Sequence, residues 1–261
     1  KEDMVKMVKL AAIYDIHGNL PALEAVLTEI EREHPDLIVV GGDIVSGPFP
    51  PATLERLLAL EDHVRFIRGN ADREVVAAFD GSPLESNVPR EVQEATIWTA
   101  HQLKQSHRDV LASLPEQVTL PVDGLGDVLF CHGSPRSDEE IITKATPEAR
   151  LREILEGVEQ DVIVCGHTHM QFDRRIAEKR VVNAGSVGMP YGTSGAYWLL
   201  LGPQIELRRT TYDLERAAAQ IRASGYPDAY DFADNNVLQP PSEEEAIAVF
   251  ERMATQRARP S

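Results

Sequence analysis

The sequence predicts an α/β layered fold, and three observations carry that expectation. The first two-thirds of the chain alternate short apolar runs with longer amphipathic stretches, the pattern of strands and crossover helices. Five apolar runs each end in a side chain able to bind metal: Asp15, Asp43, Asn70, His132 and His167. After Cys165 short runs follow one another closely, which favours hairpins and predicts a second, more antiparallel sheet packed on the first.

The strand-like runs lie at 8–14, 37–40, 64–67, 128–131 and 162–165, with helical patterns at 21–33, 52–60, 72–79 and 147–155. Pro21 stands at a helix start, where its missing N–H would be unpaired anyway. Later runs at 171–177, 180–183, 196–201 and 204–210 read as hairpin strands, with Pro203 at a turn. Residues 86–114 read as a helical insertion. From Asp213 the tail predicts two helices around a polar, proline-containing stretch at 226–242. The expected organisation is one domain over 1–210 that includes the insertion, with a helical extension over 211–261 packed on it.

A chain of 261 residues, 43% hydrophobic and 26% charged, has the composition of a soluble globular protein with a sizeable core. Its net charge of −16, from 42 acidic and 26 basic residues, repels polyanions and disfavours nucleic acid as a partner. That exclusion weakens at a metal site, where dications reverse the local potential. No apolar run approaches the roughly 18 residues of a membrane span. The N-terminal KEDMVKMVKL has no signal-peptide core, so a cytoplasmic location is the default expectation. Cys131 and Cys165 each end an apolar run and read as small buried thiols, with a redox or metal role the lesser alternative.

In open α/β sheets the carboxyl ends of the strands converge on one crevice, so residues distant in sequence can meet there. Aspartates, an asparagine carbonyl and imidazoles form a mixed oxygen and nitrogen set suited to Mn, Fe, Zn, Co or Ni. His167-Thr168-His169 has an i, i+2 spacing that lets both rings reach neighbouring metals from one turn, and Asp15-Ile16-His17 repeats it.

The series Asp15-Ile16-His17-Gly18-Asn19, Gly42-Asp43, Gly69-Asn70-Ala71-Asp72, His132-Gly133 and Gly166-His167-Thr168-His169 resembles the calcineurin-like metallophosphoesterases. Order and approximate spacing match from residue 8 to about residue 190. The run Asn183-Ala184-Gly185-Ser186-Val187-Gly188 resembles a further loop of the small bacterial and archaeal phosphodiesterase branch. The resemblance implies a four-layer αββα sandwich of two mixed sheets flanked by helices. It also implies two divalent transition metals (Mn, Fe, Ni or Zn), the first held by Asp15, His17 and His169, the second by Asn70, His132 and His167, with Asp43 bridging. The chemistry implied is two-metal hydrolysis of a small phosphate ester, a phosphodiester in the branch it resembles, through attack at phosphorus by a water-derived hydroxide shared between ions roughly 3.5–4 Å apart.

Two departures from relatives stand out. Many members carry a histidine after the metal-binding asparagine to protonate the leaving group, and here Ala71 takes that place. Protein serine/threonine phosphatases carry an arginine soon after the bridging aspartate; here Ile44-Val45-Ser46-Gly47-Pro48 follows, without that bidentate phosphate clamp. Asp72 is a candidate for orienting groups around Asn70. Asn19 reads first as a helix cap and second as a phosphate contact. Arg136 is a candidate for substrate-anion binding because His132 should place its loop at the crevice.

His34, His63, His101 and His107 read as ordinary histidines, and the acidic runs 138–140 and 243–245 as solvated faces or helix N-termini. The alternatives within the superfamily are a nucleotide pyrophosphohydrolase or a phosphomonoesterase. Outside enzymology the alternative is a non-catalytic scaffold such as the retromer subunit with this fold, against which stand seven usable ligand positions. A homo-oligomer is left open.

Overall fold

The computed structural model describes residues 8–84 and 88–257. Three apolar strands begin the chain: β1 (Leu10–Ile13), β2 (Leu37–Val40) and β3 (Val64–Phe66). They run parallel, β1 beside β2 and β2 beside β3, with α1 (Leu20–Glu33) and α2 (Pro50–Leu58) as the crossovers. Every residue of β1 is buried, as a strand covered on both faces requires.

The second sheet contains β4 (Gln117–Val122), β5 (Gly126–Cys131), β6 (Val162–Cys165), β7 (Phe172–Ile176) and β8 (Lys179–Asn183), in the order β4-β5-β6-β8-β7. Here β5, β6 and β8 are parallel neighbours, and antiparallel β4 and β7 form the edges. The last two strands, β9 (Ala196–Leu201) and β10 (Ile205–Thr210), return to the first sheet and complete the order β10-β9-β1-β2-β3.

Both sheets are mixed, as the resemblance implies, but the hairpin strands expected to build a second, more antiparallel sheet are divided between the two. The hairpin β9–β10 belongs to the first sheet because β9 is apolar on both faces. Leu199 and Leu201 point between the sheets, while Trp198 and Leu200 point at the helices. Only a central position covers both sides.

Alternation along the strands creates the layers. Leu10, Ala12 and Tyr14 pack between the sheets against Phe130, Val164 and Val182. Ala11 and Ile13 face the other way, onto Leu23 and Val26 of α1 and Leu54 of α2. On the far side Leu129, Cys131 and Ile163 pack on α6 (Glu148–Ile154) through Leu151 and Ile154. The result is the four-layer αββα sandwich. Both cysteines are free and buried.

The first helical layer also holds α3 (Asn70–Phe79), α4 (Arg90–Gln102) and α5 (Gln105–Ser113), with Leu103 and Leu111 joining the same core. The expected start of the insertion, residue 86, lies outside the described residues. The tail forms α7 (Leu214–Arg222), α8 (Ala229–Phe232) running into a π-helical turn (Ala233–Leu238), and α9 (Glu243–Arg257). The polar, proline-containing stretch between the two expected helices thus contains helix of its own. Its few apolar residues, Phe232, Ala233 and Val237, find cover against Ala217 and Ile221 of α7, a nonlocal contact with no period of its own. Strand β4 was not expected either, because Pro121 interrupts it; an edge strand tolerates the missing donor. Among the described residues no helix is long and apolar enough to cross a membrane.

Phe130 is fully buried between the sheets. Phe130→Ala should cost about 3–5 kcal/mol of stability by urea denaturation. A loss under about 1 kcal/mol would mean that the interlayer core is not close-packed there.

Candidate metal centre

The ligand candidates sit in loops that leave the strand ends with unusual backbone. Asp15 and His17 follow β1 with φ of 51° and 48°; Asp43 follows β2 with φ 52°; His167 and His169 follow β6 with φ 65° and 60°. Left-handed backbone costs an L-residue roughly 1–2 kcal/mol, and such residues gather where function over-determines the chain. Neighbouring loops hold these conformations. Asp15 N–H donates to Gly42 O (3.1 Å) and His17 N–H to Asp43 O (2.9 Å), tying the β1 and β2 exits together. His167 N–H donates to Asp15 Oδ2 (2.9 Å), which links the two sheets.

Two glycines permit the approach. A Cβ on Gly42, whose φ is +93°, would lie 2.4 Å from Gly69 N, and a Cβ on Gly69 would lie 2.1 Å from Asp43 Oδ1. No larger residue fits at either place without moving the other loop.

The seven side chains converge as two groups. Asp15, His17 and His169 offer one set of ligand atoms, and Asp43, His132 and His167 another, each set within 4.8 Å. Asn70, the first residue of α3, turns its Oδ1 to His132 Nε2 at 3.1 Å. Asp43 Oδ2 lies between the groups, 3.7 Å from His17 Nε2 and 3.4 Å from His132 Nε2.

Hydrogen bonding shows what this arrangement lacks. His17 Nδ1 faces Ser46 O (3.2 Å), His132 Nδ1 faces Gly41 O (2.8 Å) and His169 Nδ1 faces Met189 O (2.8 Å). A carbonyl can only accept, so each Nδ1 carries the hydrogen and each Nε2 presents a bare lone pair in the neutral ring. Yet His17 Nε2 and His169 Nε2 face each other at 3.2 Å. Among the described residues Asp15 Oδ1 is buried with no hydrogen bond of ordinary geometry, 3.5 Å from His169 Nε2 and 3.8 Å from His132 Nε2. Acceptors alone, pointed at one another in a buried crevice, need positive charge between them. Divalent transition metals fit this donor set, and the carbonyl contacts are the outer bonds that orient metal-ligating imidazoles.

The titration behaviour shows the same demand for positive charge, met at His132 by a proton where no metal ion competes for the Nε2 lone pair. Burial pulls the His132 ring down, but Asp43 and Asp15 outweigh it and raise its pKa to about 10. Burial, and then His132, push His167 down to about 4. Asp43 is buried too, yet His132, His17 and His167 hold its carboxyl well below the usual range. The crevice is built for cations.

Other candidates have different work. Asp72 accepts from Ile44 N–H (2.9 Å) and Gly69 N–H (3.1 Å), so it braces the loops of Asp43 and Asn70 rather than facing the centre. Burial, with Asp43 close by, pushes its carboxyl up to about 7. As a substrate contact Asn19 is corrected: it is fully buried, caps α1 by accepting from Ala22 N–H (3.2 Å), and donates to Gly188 O (3.0 Å). Arg136 pairs with Glu140 and donates to Glu153 O (3.3 Å). The run 138–140 is not merely solvated, since Asp138 and Glu139 pair with Arg73. His107 is buried against Glu55 (3.0 Å).

The loop after β8 is a brace that residue type alone would not reveal. Ser186 Oγ donates to Asp15 O (2.7 Å), and Asn183 Nδ2 donates to Gly166 O (2.7 Å) and Thr168 Oγ1 (3.1 Å). Ala71 N–H donates to Asp43 Oδ1 (2.8 Å), which leaves Oδ2 for the centre.

Gly69→Ala should displace Asp43 and weaken transition-metal binding at least about tenfold, measured by calorimetric titration of metal-stripped protein. Unchanged affinity would show that the Gly69 approach does not set the Asp43 position.

Residues 8–202 match the calcineurin-like phosphoesterase superfamily domain. The chain is 28% identical over 247 residues to an uncharacterized protein of Methanocaldococcus jannaschii, covering 86% of this chain and 96% of that one. It is 26% identical over 204 residues to the phosphodiesterase YfcE of Escherichia coli, covering 75% and 88%. Among solved structures it is similar to a metallophosphoesterase from Sphaerobacter thermophilus, with a TM-score of 0.70 at 27% identity over 89% of this chain and all of that one. A hypothetical protein of Pyrococcus horikoshii shares the fold, with a TM-score of 0.76 at 23% identity over 90% of this chain and all of that one. With the acceptor-lined crevice, this match over three-quarters of its length places the chain in the calcineurin-like phosphoesterase superfamily, as a hydrolase of phosphate esters.

Proposed function

We propose that this protein is a phosphodiesterase with two divalent transition metals, drawn from Mn, Fe, Ni or Zn. The observation that carries the reading is the meeting of bare acceptors: Nε2 against Nε2 at 3.2 Å, beside a buried Asp15 Oδ1 with no hydrogen bond of ordinary geometry among the described residues. Asp15, His17 and His169 would hold one ion, and Asn70, His132 and His167 the other, with Asp43 between them. Bound there, such ions supply Lewis acidity toward phosphoryl oxygens and a water nucleophile at neutral pH.

The chain's own residues do the positioning. Ser46, Gly41 and Met189 carbonyls fix three rings in one tautomer, and Asp72 and Ser186 fix the loops beneath them. What the residues after Asp43 omit bears on substrate. Ile44 and Val45 are buried and apolar, so no guanidinium stands there to clamp a phosphate dianion. A phosphodiester carries one negative charge where a monoester carries up to two. In a protein of net charge −16 without that clamp, the monoanion meets less repulsion. The phosphodiesterase name of YfcE supports the same class, and the metallophosphoesterase name of the Sphaerobacter protein supports metal-dependent ester hydrolysis more broadly.

Wild-type protein supplied with Mn, Ni or Zn in turn should hydrolyse aryl phosphodiesters at least about tenfold faster than simple alkyl monoesters. The reverse order would sink the reading. Asp43→Asn should lower the metal content of both groups and abolish turnover; two metals retained per chain would remove Asp43 from the bridge.

Ala71 sets the leaving-group preference. Its methyl cannot protonate a departing oxygen, a contribution of roughly 10²–10⁴-fold where present. A phenolate leaves unaided and an alkoxide does not. Ala71→His should therefore raise alkyl-ester turnover more than aryl-ester turnover, at unchanged metal content. Equal effects on both would mean that position 71 has no part in leaving-group departure.

A further inference from the structure

Beside the metal centre stand two aromatic residues that the hydrolytic chemistry does not use. Tyr191 lies in the loop between β8 and β9, two residues after Met189, whose carbonyl orients His169. Its ring centroid is 6.0 Å from that of His169, with planes 31° apart. The Phe250 ring of α9 is also 6.0 Å from Tyr191, nearly perpendicular at 81°. These separations are those of interacting rings. A row of three rings therefore leads from a metal-ligand candidate to the C-terminal helix.

Tyr191 and Phe250 are each only half-buried, so both keep open surface. Helix α9 is fastened independently of these rings. Glu251 Oε1 accepts from Thr143 Oγ1 (2.6 Å) and Thr146 Oγ1 (2.9 Å), and Lys144 pairs with Glu243 (2.6 Å). On the other flank Gly192 N–H donates to Pro241 O (2.8 Å), and Ser194 Oγ to Leu238 O (2.9 Å). One clamp grips the segment whose Ile142 O accepts from Thr168 Oγ1, between His167 and His169; the other grips the loop that carries Tyr191. If the rings served only to attach the extension, these clamps would make them redundant.

We propose that Tyr191, with the perpendicular Phe250 packed against it, forms an aromatic wall of the substrate site, on which a planar substituent of the phosphodiester stacks. The inference rests on the phosphodiesterase reading: the metals take the phosphate, and the wall takes a nucleobase or an aryl ring attached to it. Rigid flat side chains lose little conformational freedom on binding and accept any π-face, so the wall selects shape more than sequence.

The test uses manganese-loaded full-length protein and three diesters that share the 4-nitrophenolate leaving group. Their second ester group is methyl, phenyl or the 5′-position of thymidine. Wild type should show a KM for the thymidine or phenyl diester at least about tenfold below that of the methyl diester; the two planar arms separate a nucleobase preference from a general aryl one. In Tyr191→Ala and in Phe250→Ala that advantage should collapse several-fold, with kcat falling less than KM rises. Tyr191→Trp should restore it, and calorimetric binding of thymidine 5′-monophosphate should weaken and recover in parallel. Turnover of all three diesters with equal KM in wild type, or an unchanged KM advantage in both alanine variants, overturns the wall and leaves the phosphodiesterase reading standing. No turnover of any diester overturns both.

Discussion

Seven polar side chains meet in the crevice above the two sheets, and most of the atoms they present can only accept hydrogen bonds. Water would serve such atoms at a surface, but Asp15 and His132 are almost wholly buried. Positive charge is the remaining way to stabilise them, and everything around the crevice maintains that demand. Backbone carbonyls take the Nδ1 hydrogens and strip the Nε2 atoms of theirs. Asp43 and Asn70 use one polar end on the protein, through Ala71 N–H and Glu74, and direct the other inward. Five ligand candidates stand in left-handed backbone at a cost of about 1–3 kcal/mol each.

Two sheets are needed to hold that strain. β1, β2 and β3 deliver Asp15, Asp43 and Asn70 from one layer, while β5 and β6 deliver His132 and His167 from the other. The interlayer core of Tyr14, Phe130 and Val164 keeps the two sets in register. The bond from His167 N–H to Asp15 Oδ2 then transmits the position of one sheet's loop to the other. The glycines at the crossing matter for the same reason, since close backbone approach leaves no space for a side chain. Rigidity below permits precision above.

The chain past residue 202 brings a further element to the edge of the crevice. The superfamily match ends at residue 202, whereas Phe250 and its clamps lie well past it. Through Tyr191 the last helix comes within ring contact of His169. A general phosphate centre and a particular substrate preference can thus reside in separate parts of one chain, the first built from strand ends and the second from a docked helix.

The sequence by itself determined the layered fold and the identity of the ligand candidates. Both are local properties: an apolar run reads as a strand, and the residue that ends it reads as a crevice residue. What the chain could not display was partnership across distance. The hairpin β9–β10 joined the first sheet because its two faces needed cover from different layers. Asn19 and Arg136 met Ala22, Gly188, Glu140 and Glu153, partners that residue type does not announce. Asp72 became a brace because folding brought Ile44 N–H to it across 28 positions. Tyr191 met Phe250 only once α9 had docked. Residue type and spacing specify which atoms are available, but tertiary packing decides which of them remain free after every buried donor and acceptor has been satisfied.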